Sequence, residues 1–411
     1  MRSNYKKIGK HIRKVNTRNV DLLTTNLLGI NIDKFFMPSV ANVVGTDMST
    51  YKIVKRGQFS CNRMHVGRDY RLPISLSTSD EDFLVSPAYD VFEVKNEEEL
   101  LPEYLMMWFL RKEFDRNSWF YTDADVRGGL HWDAFCDMEI PVPSIEKQRE
   151  IVKEYNVVKD RIELNNKLIQ KLEEVAQAIY KQWFVDFEFP DENGNPYKSS
   201  GGEMVWCEDL EIDIPKGWFV SKIDDEFRLT IGRTPPRHEL EWFSLNSDHG
   251  RKWISIKDIV NTGTYIFSTA ESLTNEAISK FKIPVIAKNT TILSFKMTVG
   301  ELAITTEEML SNEAIAHFNL KANSKFSSEF IYCFLRQFSF KELGTTSSIV
   351  NSINSTMIKN LSLIVPDKSV MENFNKIIMP IFNFKRIREK ELNLDSKTNS
   401  ILLSKLATVT N

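Results

Sequence analysis

Residues 146–187, which decide the fold of this chain, read EKQREIVKEYNVVKDRIELNNKLIQKLEEVAQAIYKQWFVDF. Mostly apolar residues recur there in alternating steps of four and three, the a/d pattern of a helix that packs against another helix. The positions of this seam are Ile151, Tyr155, Val158, Ile162, Asn165, Ile169, Leu172, Ala176, Ile179 and Trp183. Neither proline nor glycine interrupts the stretch, which predicts one helix about 60 Å long. Such a helix cannot bury its apolar stripe alone, so it needs a partner.

The partner predicted for this helix is a second long helix over residues 369–407, the other segment long enough to cover the stripe. The same a/d frame continued there is apolar at only six of its ten positions, and Pro380 is expected to bend the early turns. In the first seam, Asn165 is interpreted as a residue that sets the register of the pair. Two similar helices of one chain pair most simply in antiparallel fashion.

The composition is that of a globular chain, with 411 residues, 42% hydrophobic and 27% charged, enough for two or three domains. The basic start lacks an apolar signal region and no run reaches the roughly 18 apolar residues of a membrane span, so we expect a cytoplasmic protein. Four widely spaced cysteines without a CxxC pair predict buried thiols and no zinc site. The net charge of −3 does not exclude DNA binding, because phosphate contacts depend on local positive charge.

The same plan of elements occurs twice along the chain. Residues 85–114 and 311–338 each hold a strand-like run followed by a helix, and both contain the triplet FLR. In each half a polar loop follows, then a short strand ended by proline and then the long helix; the strands are MEIPVPS at 138–144 and LSLIVP at 361–366. Short strand-like runs at 52–59 and 90–95 and one helix over 99–114 are also predicted in the first half.

This pattern predicts an α+β fold with a pseudo-two-fold internal repeat, in which two globular modules are separated by two long antiparallel coiled-coil helices. Two modules at opposite ends of a rod can reach separate groove segments of a DNA duplex, whose backbone is itself two-fold symmetric. Because the modules differ in sequence, the two half-sites should differ as well. The sequence therefore predicts recognition of a split, asymmetric DNA site with an unread middle.

Several motifs resemble one known family. IELNNKLIQKLEEVAQAIYKQWFVDFEFP (162–190), followed by a Gly-rich linker and IPKGW (214–218), closely resembles the central conserved region of specificity subunits of Type I restriction–modification systems. IGRTPPRHELEW (231–242) and WISIKDI (253–259) look like the opening of that family's target-recognition domains, and SILLSKL (400–406) looks like its distal conserved helix. The resemblance covers most of the chain, but residues 1–84 contain no counterpart of the GRTP motif.

The resemblance implies a subunit that recognises a bipartite double-stranded DNA target, one domain per half-site, and is not catalytic by itself. Two modification (methylase) subunits would grip the helical rod and methylate adenine, and restriction subunits would add translocation and cleavage in defence against foreign DNA. S-adenosylmethionine, ATP and Mg²⁺ would bind to those partners, and no cofactor or metal to this chain. The implied domains are a first target-recognition domain (1–142), the central conserved coiled-coil helix (143–187), a linker (188–216), a second target-recognition domain (217–367) and the distal conserved coiled-coil helix (368–411).

Catalytic motifs are missing from the sequence, which contains no GxxxxGK[ST] phosphate loop, no NPPY-like or DPPF-like methylase tetrapeptide, no HExxH and no GxSxG. Asp82, Glu93 and Lys95 could form a set like that of a Mg²⁺ nuclease, although such loose spacing arises easily by chance. Two alternatives stay open at this point. One is a stand-alone site-specific nuclease or methylase, and the other is a coiled-coil adaptor without DNA specificity.

Candidate DNA contacts are basic and small polar residues in loops, since these reach base edges and phosphates and glycine lets backbones approach closely. The predicted set is Arg63, Arg68, Arg71, Arg127, Gly128 and Gly129 in the first module and Arg233, Arg237, Lys257, Lys296, Thr345, Thr346 and Ser347 in the second. Any of them could instead be an ordinary surface residue. Trp183, Phe184 and Phe187, near the end of the first long helix, are candidates either for binding the methylase or for capping the coil.

Overall fold

The computed structural model describes residues 4–41, 45–64, 66–122, 128–244, 250–340 and 353–409. The chain divides into two compact units, of which unit 1 holds residues 1–162 and 394–411 and unit 2 holds residues 163–393. Both boundaries between the units fall inside long helices. Each unit therefore contains one globular module together with a part of each long helix.

The elements of unit 1 are mostly short. Its strands are β1 (Tyr5–Lys7), β2 (Ile12–Val15), β3 (Leu28–Ile30), β4 (Phe36–Pro38), β5 (Lys52–Val54), β6 (Phe59–Cys61), β7 (Ile74–Leu76), β8 (Phe83–Val85), β9 (Asp90–Val94) and β10 (Glu139–Pro141). Its helices are α1 (Ile8–His11), α2 (Val66–Asp69), α3 (Pro102–Phe109), α4 (Lys112–Phe120), α5 (Trp132–Asp137) and the first part of α6 (Ile145–Phe184). A 3₁₀ turn lies at Met48–Thr50.

The centre of unit 1 is an antiparallel four-stranded sheet in the order β2-β9-β6-β7. Alternate residues of these strands point into one core, where the rings of Phe59 and Phe92 stack with their centroids 4.9 Å apart and Phe109 packs edge-on. Three two-stranded pairs flank this sheet, β1 with β10, β3 with β4 and β5 with β8. The strand that precedes the long helix is thus tied to the first strand of the unit.

Unit 2 is richer in strands. They are β11 (Met204–Cys207), β12 (Ile212–Pro215), β13 (Phe219–Lys222), β14 (Phe227–Ile231), β15 (Phe243–Ser244), β16 (Arg251–Ile254), β17 (Tyr265–Ile266), β18 (Glu271–Leu273), β19 (Thr291–Ser294), β20 (Leu302–Thr305), β21 (Leu310–Ser311), β22 (Ile315–Leu320) and β23 (Ser362–Val365). The helices are α7 (Ile223–Glu226), α8 (Ile256–Val260), α9 (Asn275–Lys280), α10 (Ser328–Gln337), α11 (Ser355–Lys359) and α12 (Lys368–Lys405), with 3₁₀ turns at Leu240–Trp242 and, at the unit 1 end of the chain, Leu406–Thr408.

Two sheets form the module of unit 2, one of five strands in the order β14-β22-β19-β20-β17 and one of four in the order β15-β18-β16-β21. Apolar residues of α10 pack with the five-stranded sheet, and Phe330 of that helix contacts Phe326 and Phe374. β11 and β12 form an antiparallel hairpin inside the segment predicted to be a linker. That segment is therefore partly folded, since Phe189 stacks on Trp218 with the centroids 4.9 Å apart.

The two units share a topology at their centres. β1-α1-β2 corresponds to β13-α7-β14, because β1 pairs with β10 and β13 pairs with β23, the strands that precede the two long helices. The sheet orders β2-β9-β6-β7 and β14-β22-β19-β20 also correspond. Ile8 and Ile223 begin the equivalent short helices, both fully buried, and their amides donate to Met138 and Leu361 at 2.8 and 3.0 Å. The plan of elements thus occurs twice, as the sequence predicts.

The two long helices are present, α6 with 40 residues and α12 with 38. α6 begins one residue before the stretch 146–187 that predicted it and ends three residues before the end of that stretch. All ten positions of the predicted seam are buried or half-buried on α6, and so are the ten positions of the continued frame, nine on α12 and the tenth, Leu406, in the 3₁₀ turn after it. By contrast, Val157 and Leu164, which lie outside the seam, are 61% and 66% exposed. The 4-3 spacing therefore predicted correctly which face of each helix is covered.

Contacts between α6 and α12 occur within each unit. In unit 2, Trp183 contacts Phe374 with ring centroids 5.7 Å apart, and the Glu173 carboxylate pairs with the Lys385 ammonium. In unit 1, Arg161 pairs with Asp395 at 3.1 Å, and the Tyr155 hydroxyl oxygen accepts a hydrogen bond from the Asn399 amide. Within each unit, residue numbers fall along α6 as they rise along α12. The paired segments therefore run in opposite directions.

One predicted element was wrong in its extent. The single helix expected over 99–114 is divided into α3 and α4, because Arg111 adopts an extended backbone with φ −73° and ψ 140°. The Arg111 guanidinium lies 4.2 Å from the centroid of the Trp108 ring and is buried there, so the turn brings a charged residue onto an aromatic face. The spacing of apolar residues alone could not predict this contact or the break in the helix.

All four cysteines are free, but only two of them match the expectation of buried thiols. Cys61 and Cys333 are buried, whereas Cys136 and Cys207 are half-buried. Burial raises the pKa of the Cys61 thiol far above its ordinary value, which keeps it protonated. Within the described part of the chain, no helix is long and apolar enough to cross a membrane.

Candidate functional site

The predicted residues of the first module lie on two loops that the fold places side by side. The loop of residues 62–71 joins β6 to the neighbouring strand β7, and the segment 128–131 precedes α5. The Gly67 amide donates to the Gly128 carbonyl at 2.8 Å, and a Cβ on Gly67 would lie only 2.6 Å from the Gly128 Cα. Gly128 has φ +56°, which also favours glycine. A close backbone approach therefore occurs at Gly128, whereas a Cβ on Gly129 would lie 3.9 Å from the Arg63 carbonyl oxygen, an ordinary contact distance.

Of the three arginines on this surface, two face solvent. Arg68 pairs with Asp69 and Arg71 with Asp33, each at 2.6 Å, while 67% and 48% of their side chains stay exposed. Exposed pairs of this kind contribute little to stability and exchange readily for another anion. Both guanidinium groups can therefore turn to a phosphate or a base edge.

Arg63 points inward instead. Its side chain is 19% exposed and pairs with Asp90 at 2.5 Å, and it also donates to the Leu130 carbonyl. Lys14 pairs with the same carboxylate at 2.9 Å. Burial raises the pKa of Asp90, but the hydrogen bonds and charges of Lys14 and Arg63 outweigh burial and lower it. Arg63 thus holds the two loops together, a structural role that loop position and residue type did not indicate.

Aromatic residues that the sequence analysis did not select border this surface. The Tyr70 and Trp119 rings lie 5.4 Å apart, and Phe120 and Tyr121 follow at the end of α4. All four side chains are exposed. Exposed aromatics beside exposed arginines are a common feature of nucleic-acid surfaces. Arg127, predicted for the same surface, lies outside the described residues.

In the second module, predicted residues gather around the Glu313 carboxylate. The Thr234 hydroxyl donates to Glu313. Burial raises the pKa of Glu313, but the Thr234 hydrogen bond and the charges of Lys296 and Arg237 outweigh burial and lower it. Lys296 is exposed and lies over the edge of the Phe295 ring, 5.5 Å from its centroid. Arg237 and Lys296, which are 59 positions apart in the sequence, therefore lie in one basic cluster around the Glu313 carboxylate.

Arg237 is the most firmly oriented of these residues. Its guanidinium lies 4.4 and 4.6 Å from the ring centroids of Phe243 and Trp253 and makes two 2.9 Å hydrogen bonds to Glu271. Half of the side chain remains exposed, at 51%. A guanidinium held by stacking and by a bidentate partner is preorganised, so it loses little freedom on contacting a base or phosphate.

Arg233 belongs to the GRTP motif, which is held against β21. Its amide donates to the Ser311 carbonyl at 2.9 Å, and a Cβ on Gly232 would lie 2.2 Å from that oxygen, so glycine is required there. Arg233 lies seven positions after Glu226, the end of α7, and Arg18 lies seven positions after His11, the end of α1. Arg18 is exposed and is the counterpart that sequence comparison of residues 1–84 did not find.

The remaining predicted residues of the second module are not part of this cluster or lie outside the described part of the chain. Lys257 is exposed on α8, where its neighbour Asp258 lines a cavity of about 560 Å³ with Asn166 and Glu389. Thr345, Thr346 and Ser347 lie outside the described residues. Phe340, the last residue before that gap, approaches Gly300 of the β19–β20 loop.

Comparisons with known proteins bear on these surfaces. The family model of the Type I restriction modification DNA specificity domain matches residues 74–174 and 215–394. This chain belongs to that family. The second range contains the Arg237, Lys296 and Glu313 site of unit 2, and the first contains Trp119 and the segment 128–131 of unit 1, whereas the loop of residues 62–71 precedes it.

Two curated relatives and one solved structure agree with membership of the specificity-domain family. The chain is 23% identical over 404 residues to the Type I restriction enzyme HindI specificity subunit of Haemophilus influenzae, covering 85% of each chain. It is 27% identical over 321 residues to the MjaIX specificity subunit of Methanocaldococcus jannaschii, covering 75% of this chain and 68% of that one. The S subunit of the Type I restriction-modification system from M. genitalium has the same fold, with TM-score 0.60 and 14% identity over 99% of this chain and 96% of that chain.

The aromatic residues considered for partner binding in this specificity-family chain are buried. Trp183, Phe184 and Phe187 are 5%, 5% and 3% exposed. Phe184 packs edge-on against Phe374 at 4.8 Å between centroids, and Phe187 packs against Trp218 at 5.9 Å. These contacts fit the alternative in which the three rings cap the helix pair, and they leave little aromatic surface for a methylase.

The carboxylates considered for nuclease chemistry are engaged elsewhere in the fold. Asp82 lies 3.8 Å from Lys55, Glu93 pairs with Arg13 at 2.6 Å, and the Lys95 ammonium donates to the carbonyls of two residues in α1. In the described ranges, no three His, Cys, Asp or Glu side chains are placed so that they could hold a metal ion. The two described surfaces offer cations, amides and exposed aromatic rings, groups that can contact nucleic acid.

Proposed function

We propose that this chain is the sequence-specific DNA recognition subunit of a Type I restriction–modification complex in the cytoplasm, and that it is not catalytic by itself. Each module would bind one half of a bipartite, asymmetric double-stranded DNA target. Membership of the DNA specificity domain family supports recognition of DNA. The exposed arginines of unit 1 and the Arg237, Lys296 and Arg233 group of unit 2 supply the positive charge that such binding requires.

One observation carries the bipartite character of the target. The strand orders β2-β9-β6-β7 and β14-β22-β19-β20 correspond, yet the residues on the equivalent loops differ. In unit 1 the basic loop residue Arg63 is bound to Asp90, whereas in unit 2 Lys296 is exposed. Two modules of one topology with different surface chemistry should bind two different DNA sequences.

We further propose that α6 and α12 form an antiparallel coiled coil along their length, with the modules at its ends and the coil as the spacer between them. Burial of the same a/d frame on both helices supports this arrangement. The polar seam positions would fix the register, since Lys385 meets Glu173 and Asp395 meets Arg161. A rod about 60 Å long spans more than one turn of DNA, which leaves room for unread base pairs between the half-sites.

The remaining partners are proposed on the same basis. Two modification subunits would dock on the outer faces of the helix pair, where Val157, Leu164 and Val175 are exposed. Restriction subunits would join that complex. S-adenosylmethionine, ATP and Mg²⁺ would bind to those partners, while this chain supplies the choice of target.

The experiment that tests the proposal is methylome mapping. The chain is expressed with the modification subunit encoded beside it in a host that lacks adenine methylation, and modified adenines are located by single-molecule sequencing. We expect one bipartite motif with an unread centre, present only when this chain is present. An active, assembled modification subunit that produces no such motif would refute the proposal and favour an adaptor without DNA specificity. Methylation or cleavage by the purified chain alone would instead favour a stand-alone enzyme.

A further inference from the structure

The hairpin loops at equivalent places in the two modules carry the same short sequence. Residues 63–67 read RMHVG between β6 and β7, and residues 296–300 read KMTVG between β19 and β20. These strands correspond because β6 lies between β9 and β7 in one sheet, as β19 lies between β22 and β20 in the other. Both loops thus share one pattern: a basic residue, methionine, any residue, valine and glycine. The two modules otherwise share little sequence.

Folding accounts for two of the repeated positions. Val66 is fully buried, and Val299 is half-buried against the unit 2 core. Gly67 packs directly on the backbone of Gly128, and Gly300 has φ +95°. Valine and glycine are therefore needed for the loop to pack and to turn.

Folding does not account for the methionine. Met64 is 42% exposed and Met297 is 93% exposed, so neither side chain is placed to fill a core. Met297 also has φ +62°, a left-handed backbone conformation that glycine or asparagine adopts at lower cost. A solvent-exposed apolar side chain in a strained conformation indicates a function that outweighs its cost to folding.

The loop that carries Met297 is rigid and lies in the positively charged site of unit 2. The Gly300 amide donates to the Ser294 carbonyl at 3.0 Å, and the Ser294 amide donates to the Glu301 carbonyl at 2.9 Å, which closes the loop at its base. The Phe295 amide donates to the Ala314 carbonyl at 2.9 Å, beside Glu313. Hydrogen bonds thus hold the backbone on both sides of Met297, and its side chain is exposed next to Lys296.

We propose that Met64 and Met297 are specificity-determining residues, each of which contacts the 5-methyl group of a thymine in the half-site bound by its module. This inference rests on the DNA recognition proposed above. Thymine is the one base whose major-groove edge offers a methyl group, and an apolar side chain distinguishes it by contact. The adjacent basic residue is free to bind a phosphate only in unit 2, because Arg63 is already bound to Asp90.

The test uses the assembled complex of this chain with its modification subunits and a duplex that carries the motif from methylome mapping. Each thymine of the motif is replaced in turn by deoxyuridine, which removes only the methyl group. We expect one replacement in each half-site to weaken binding about fourfold, the effect of losing one apolar carbon contact. Met297→Ala should weaken binding to the thymine duplex and abolish the sensitivity to deoxyuridine in the second half-site, and Met64→Ala should do so in the first.

Two further variants separate recognition from folding. Met297→Gly removes the contact and relieves the backbone conformation, so the thermal midpoint should hold or rise while binding falls as for Met297→Ala. Leu320→Ala is the matched control, because Leu320 is 43% exposed at the opposite end of the neighbouring strand β22 and should leave binding unchanged.

The outcomes are distinguishable from failure of the proposed function. If the wild-type complex binds its motif but Met297→Ala and Met64→Ala keep full affinity or keep the deoxyuridine sensitivity, the methionine assignment is overturned and DNA recognition stands. The same holds if half-sites contain no thymine, or if Met297→Gly loses stability together with binding. If the wild-type complex has no motif at all, the proposed function itself fails.

Discussion

Because Lys385 is more deeply buried than Glu173, we expect the loss of one partner of this ion pair to lower the free energy of unfolding more than the loss of the other. Lys385 is 2% exposed on α12, and its ammonium has the Glu173 carboxylate as its ion-pair partner, with the Tyr332 and Phe382 rings about it. Glu173 is 20% exposed at its side chain and keeps two other contacts, the Gln177 amide at 3.0 Å and Arg336 at 4.0 Å. We therefore consider Glu173→Gln, Lys385→Met and the double variant.

The magnitudes follow from what each substitution leaves behind. Glu173→Gln removes the ion-pair partner of a buried ammonium and leaves only the charge of Glu389, one turn along α12, to offset it, which should cost about 3 kcal/mol of unfolding free energy. Lys385→Met leaves a carboxylate that is partly solvated and still hydrogen-bonded, so its cost should be about 1 kcal/mol. The double variant lacks both members of the ion pair and keeps Glu389, as Lys385→Met does, so it should resemble Lys385→Met alone. For a unit of this size these values correspond to shifts of the thermal midpoint of about 6–12 °C and about 2–4 °C.

The assay is thermal and urea unfolding of the full chain, followed by circular dichroism, with Glu372→Gln as the control on an exposed turn of the same helix. The control should change the midpoint by less than the smaller of the two effects. Equal losses for the two single variants would refute the reasoning, since the asymmetry comes from the unequal burial of the partners. So would a double variant whose loss equals the sum of both, because that result would mean the two side chains do not interact.

Four further predictions concern pH, loop packing and target choice. Burial lowers the pKa of His317 to about 3, so the imidazole binds a proton more tightly in the unfolded chain than in the folded one. The free energy of unfolding should therefore be unaffected by this group above about pH 6.5 and should fall by about 2 kcal/mol on acidification to about pH 5. Urea unfolding of the His317→Gln variant should lack this loss. Gly67→Ala would force the two loops of unit 1 apart, so methylome mapping should show the first half-site relaxed or lost and the second kept. One heptad inserted after Leu164 and another after Leu392 should lengthen the proposed spacer by about 10 Å and widen the unread gap by about three base pairs, and an unchanged gap would contradict the spacer role. Exchange of residues 217–367 for the same region of a relative should change one half-site only, and a change in both would show that the modules do not bind independently.

Sequence reasoning located the elements better than it located the site. Arg68 and Arg71 were selected by residue type and loop position, and they are exposed as a binding residue must be. Arg63 was selected on the same grounds but is held by Asp90, a residue of the neighbouring strand β9. The repeated RMHVG and KMTVG loops were present in the sequence, yet only the equivalent strand orders identify them as the same loop.

The sequence by itself determined the long helices. Side chains three and four residues apart lie on one face of a helix, so local sequence spacing specifies which face is buried. The buried frames of α6 and α12 follow that spacing even where the residue is Asn165, Lys385 or Asp395. The tertiary structure alone decided which charges are free. Pairing between distant strands places Asp90 against Arg63 and Glu313 beside Lys296, and the energy of a charge depends on these neighbours in space, which local spacing does not specify.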